Sequence, residues 1–150
     1  AVIFGGYHPE ASKIVSQMRK KRLTMPFISD DGVKDDTFIK VAGKYAEGVY
    51  ASGPKDTSAN PLNIKAVKDH KEAYKTDPGA FYINAYSAMM AFVNAIEKAG
   101  STDYDALTKA LQSEYVDTPI GSISFDKRGD AIGAGFSVYQ VKDGVYVELK

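Results

Sequence analysis

Two short stretches place chemically capable side chains directly after strand-like runs. Gly5-Gly6-Tyr7-His8 follows the apolar run AVIF, and Asp30-Asp31-Gly32 follows Pro26-Phe27-Ile28-Ser29. A phenol from one stretch and a carboxylate from the other suit an ammonium group. The carboxylate supplies charge and a hydrogen bond; the phenol supplies an oxygen or a ring face. Glycines ahead of Tyr7 let the backbone turn sharply and let a ligand approach it closely. The same residues also fit a plain structural role, with Tyr7 packed on a sheet end and Asp31 holding its own turn, and spacing alone supports the two readings equally.

Other chemistries are poorly supplied. His8 and His70 are the two histidines, and no signature couples either to a serine and a carboxylate, so a hydrolytic triad is not supported. His8, Glu10, Asp30 and Asp31 lack the spacing of a metal motif, and Gly5-Gly6 lacks the third glycine of a dinucleotide fingerprint. The run Asp126 to Asp130 reads as a turn rather than a calcium loop. With no cysteine there is no disulfide or thiolate site. These features point away from an enzyme and call for no cofactor and no metal. Nineteen basic and nineteen acidic residues cancel, which argues against nucleic acid or an anionic membrane as partner. The longest strongly apolar stretch, residues 85–96, is shorter than the roughly 20 residues a membrane helix needs.

The elements that must position Tyr7 and Asp31 alternate. AVIF reads as a strand, and a helix entered through Pro9 carries Ile14, Val15 and Met18 on one stripe and ends in Arg19-Lys20-Lys21-Arg22, where cations oppose the helix dipole. A second strand at residues 26–29, a helix from Asp35 to Ala42 ended by Gly43, and a third strand at residues 48–51 follow. This order predicts an α/β fold with a parallel sheet, in which ligands sit beyond the carboxyl ends of the strands. The Tyr7 and Asp31 turns then fall on the same lip. Residues 54–60 read as a linker, Asn60-Pro61 starts a solvated helix, and residues 82–96 carry apolar side chains at three- and four-residue intervals. A further helix with Leu107 and Leu111 is capped at Ser101 or Thr102. Strands at residues 122–125, 133–141 and 145–149 complete the chain, the last two joined by the hairpin signal Asp143-Gly144.

GGYHPEA, PFISDDGV, AGKYAEGVYASGP, DPGAFYINAYSAM and IGSISFDKRGD, in this order along nearly the whole chain, resemble the leucine/isoleucine/valine-binding family of type I periplasmic solute-binding proteins. These are extracytoplasmic receptors of branched-chain amino-acid ABC importers. The resemblance implies a Rossmann-like, parallel-sheet, two-lobed architecture of which this chain is a truncated, C-terminal part. Residues 1–53 would belong to lobe 2, 54–121 to the mostly helical part of lobe 1, and 122–150 to lobe 2 again, with hinges near Gly53-Pro54, Ile120-Gly121 and Asp130. It also implies ligand contacts at Tyr7, Asp31 and Phe81, with Tyr82 as the substitute if the alignment slips by one and His8, at the helix start, as a further candidate contact. Asp31 would take the ligand's ammonium. Branched-chain binders carry Glu there, so with one methylene less the amine sits deeper or a water bridges it. The implied function is non-enzymatic capture of a small amino acid or related amine in a periplasmic or cell-surface location, for delivery to an ABC permease. A ligand-sensing regulatory module is the alternative on the same fold. A missing N-terminal half, or a swapped partner chain, would complete the structure.

Overall fold

A computed structural model describes residues 1–149. Strand β1 (Val2–Phe4) pairs in parallel with β2 (Phe27–Ser29), and β2 in parallel with β3 (Tyr50–Pro54). The intervening helices are α1 (His8–Lys20) and α2 (Asp36–Ala42). Pro9 sits in the first turn of α1, where a missing amide hydrogen costs nothing. At its far end Arg19 donates to the carbonyls of Leu23 at 2.7 Å and Met25 at 3.1 Å, which ties down the segment that leaves the helix.

Strands β7 (Phe136–Lys142) and β8 (Val145–Glu148) extend this sheet antiparallel to β3, giving the order β1-β2-β3-β7-β8. Their connection is the expected Asp143-Gly144 turn, with φ of +52° and +75° as a tight two-residue hairpin loop requires. α1 and α2 pack on each other over one face of the sheet. Val15, Phe27, Val33, Phe38, Val49 and Val141 are wholly buried there and form the core.

Residues 57–135 form a second compact unit; the first comprises residues 1–56 and the segment from Phe136 onward. The second unit holds α3 (Pro61–Tyr74), α4 (Tyr82–Ala99), α5 (Tyr104–Ser113) and a small antiparallel sheet of β4 (Val116–Thr118), β5 (Gly121–Phe125) and β6 (Ala131–Ile132). Asn60 caps α3 by accepting from the Leu62 amide, while its side-chain amide donates to the carbonyls of Thr118 and Pro119. One side of α4 meets α5 through Ala95, Leu107 and Ala110. The cap of α5 is Asp103, which accepts from two amides, rather than Ser101 or Thr102, because Ser101 instead accepts from the Asp103 amide.

The compact units depart from the expected bounds at their second boundary. The second boundary lies between Gly135 and Phe136, and residues 122–135 group with the second unit because β5 is paired with β4 on one side and β6 on the other. Ile120-Gly121 is therefore the turn of a hairpin, clasped by the Thr118 hydroxyl donating to the Gly121 carbonyl, and not a crossing. Asp130 closes a turn around the Asp126 carboxylate, and Gly53-Pro54 is laddered to Ser137 and Phe136 just ahead of the first boundary, between Asp56 and Thr57.

Candidate functional site

The carboxyl ends of β1 and β2 are joined before any functional side chain appears. The Ser29 hydroxyl donates to the Phe4 carbonyl at 2.7 Å, which holds the two strand ends level. Beyond them the chain turns through Gly5-Gly6-Tyr7 on one side and through a short 3-10 turn, Asp31–Val33, on the other. A methyl group on Gly32 would lie 2.4 Å from the Gly6 carbonyl oxygen and 3.1 Å from the Tyr7 ring. Only glycine allows that approach, so the two turns are in contact and form one lip.

On this lip Tyr7 is 64% exposed. Asp31 is half-buried, and none of the described residues bonds to or ion-pairs with its carboxylate. Three other acids are engaged with backbone amides. Asp35 caps α2 through the Thr37 amide at 2.7 Å, Asp103 caps α5, and Asp126 accepts from the amides of Arg128 and Asp130. Burial pushes the Asp35 carboxyl up, but hydrogen bonds from Thr37 and the nearby His8 and Lys40 outweigh it and hold the group below its ordinary value. His8 is thus the first residue of α1 and an electrostatic neighbour of the Asp35 cap.

The Asp31 turn is also tied from beneath. The Tyr146 hydroxyl donates to the Val33 carbonyl, and burial pushes this phenol well above its ordinary range, so its O–H stays a donor. Lys34 lays its stem over Gly53, where a methyl would fall 2.4 Å from Lys34 Cδ, and brings its ammonium 4.2 Å from the centre of the Tyr139 ring. Sequence reasoning missed Lys34, Tyr139 and Tyr146, since a lysine and two strand tyrosines carry no motif.

The other two expected contacts lie on the second unit. Phe81 precedes α4 and is 48% exposed. Tyr82 is committed to helix packing: its hydroxyl donates to the Ala66 carbonyl, and its ring meets His70 edge-on at 4.7 Å. Burial raises the Tyr82 phenol as well. Two open hollows on this unit, of about 550 Å³ along α3 and about 450 Å³ along α4, contain none of the expected contacts.

A family profile described as periplasmic binding protein matches residues 1–145. The chain belongs to that family. It is 36% identical over 151 aligned residues to the leucine-, isoleucine-, valine-, threonine- and alanine-binding protein of Pseudomonas aeruginosa, covering 99% of this chain and 40% of that protein. It is 34% identical to the Leu/Ile/Val-binding protein of Escherichia coli, covering 92% of this chain and 37% of the relative. Among solved structures, the leucine-binding protein LivK of Thermotoga maritima superposes with a TM-score of 0.83 at 30% identity, over 99% of this chain and 43% of that one. A branched-chain amino-acid binding protein from Streptococcus pneumoniae, solved with isoleucine, has a TM-score of 0.78 at 20% identity over 98% of this chain and 44% of its own, a likeness of fold. The fold is thus that of a type I periplasmic binding protein, and the chain spans about 40% of the length of the P. aeruginosa relative. Among the described residues no helix is long and apolar enough to cross a membrane.

Proposed function

We propose that this chain is the C-terminal part of an extracytoplasmic solute-binding receptor that captures an amino acid or related amine and delivers it to an ABC permease. The observation that carries the reading is the Asp31 carboxylate: half-buried, bonded to none of the described residues, and set on a lip shared with an exposed Tyr7. A half-buried acid without a partner pays desolvation with no return, and a ligand ammonium supplies the return. Tyr7 then offers its ring or hydroxyl to the same amine or to the carbon beside it.

Phe81, exposed ahead of α4, is a further proposed ligand contact, and Tyr82 supports the helix that follows it. Amino acids with small or aliphatic side chains are the first candidate ligands, a choice supported by the relatives' names. Groups that hold the ligand's carboxylate come, in this reading, from the part of the receptor beyond these residues. The protein is a binder and not a catalyst.

The test is calorimetry on the full-length receptor with L-leucine, L-valine, L-alanine, L-glutamate and γ-aminobutyrate, before and after Asp31→Ala. Removing one partner of a buried, hydrogen-bonded charge pair costs about 2–5 kcal/mol, so the tightest ligand is expected to lose at least thirtyfold, a factor that follows from about 2 kcal/mol. Equal affinity of both forms for an amine ligand removes Asp31 from the site.

A further inference from the structure

The turn that carries Asp31 is held by residues more than a hundred positions away. Its backbone is a single 3-10 turn, closed by the Val33 amide on the Asp30 carbonyl at 3.3 Å and the Lys34 amide on the Asp31 carbonyl at 3.1 Å. So short a turn has little stability of its own. Two tyrosines of the β7–β8 hairpin reach it. Tyr146 of β8 donates to the Val33 carbonyl, and Tyr139 of β7 places its ring under the Lys34 ammonium. Tyr139 is itself fixed, being 4% exposed and donating its hydroxyl to the Pro54 carbonyl at 2.5 Å. The Lys34 stem cannot shift toward the sheet, because it already fills the place of a side chain on Gly53.

We infer that Tyr146 and the Lys34–Tyr139 pair are positioning residues for Asp31, so that the C-terminal hairpin sets the affinity of the amine site without touching the ligand. The inference rests on the amine-binding reading of Asp31. It predicts that loosening either tie costs affinity only while Asp31 is there to be positioned.

Two variants of the full-length receptor separate the ties. Tyr146→Phe removes only the donor to Val33, and Lys34→Met removes only the charge above Tyr139 while keeping an apolar stem on Gly53. Each is expected to speed amide exchange at residues 33–35 about fivefold and leave the β2 amides unchanged. Each is expected to weaken the tightest ligand of the amine panel about fivefold, with no further loss in the Asp31→Ala background. Lys34→Arg, which keeps a cation over the ring, is expected to bind like the parent. Unchanged exchange at residues 33–35, unchanged affinity with Asp31 intact, or an equal loss in the Asp31→Ala background each overturns the inference. If Asp31→Ala alone binds like the parent, the amine-site reading is what fails, and the exchange data still decide whether the hairpin holds the turn.

Discussion

The two faces of the five-stranded sheet are built from the same kinds of residue and meet different fates. On one face Phe27, Val49 and Val141 lie under α1 and α2 and are completely buried. On the other, Ile3 is 84% exposed and Val138 47%, with Ile28 and Val147 also open. Register aligns the open set across the sheet: Ile3 opposite Ile28, Ile28 opposite Tyr50, Tyr50 opposite Gln140, and Gln140 opposite Val147. Parallel strands are commonly apolar on both sides because both sides are commonly covered. An apolar strand residue therefore declares that it can be buried, and whether it is depends on which helices fold against it.

The largest effects belong to the covered face. Phe38→Ala removes a wholly buried ring of α2 from the core and is expected to cost about 3–5 kcal/mol in urea or guanidinium unfolding. A loss below about 1 kcal/mol means that α2 is not a fixed cover of the sheet.

The covering helix also depends on its cap. Asp35→Ala is expected to cost about 1 kcal/mol at neutral pH. The sign with pH follows from the lowered carboxyl. Its contribution is complete above its ordinary value of 3.8 and fades as pH falls through the lower folded-state value, so the gap between parent and variant narrows toward pH 3. Unfolding curves at pH 7 and pH 3 check this; a gap that widens in acid contradicts the cap.

The smallest effect is expected on the open face. Ile3→Ser should change unfolding free energy by no more than about 0.5 kcal/mol, while lowering concentration-dependent self-association in sedimentation because it trims an exposed apolar patch. A loss of several kcal/mol would show that this face is packed in solution and would erase the contrast.

Much of the fold is legible in the residues. Pro9 and the Ile14, Val15, Met18 stripe mark α1, Gly43 marks the end of α2, Asn60-Pro61 opens α3, and Asp143-Gly144 makes the last hairpin. Strands β4 and β6 were not legible, since Val116-Asp117-Thr118 and Ala131-Ile132 lack the apolar runs that mark the equally short β1 and β2, and β3 lies slightly later than the apolar run suggests. Of the site, the pairing of the Tyr7 and Asp31 turns could be anticipated from strand order. The unit boundary after Gly135 could not, because it depends on β5 choosing β4 and β6 as partners.

Neighbours in the chain decide the caps, turns, helical stripes, and two glycine-bearing strand ends each with a polar side chain. Those preferences are local, acting over one to four residues, and survive without the rest of the molecule. Tertiary structure alone decided which sheet face is covered, that Gly32 abuts Gly6, and that Tyr146 holds the Val33 carbonyl across 113 residues of sequence. Such contacts exist only once distant strands are paired, and no local pattern encodes the partner on the far side of a closed loop.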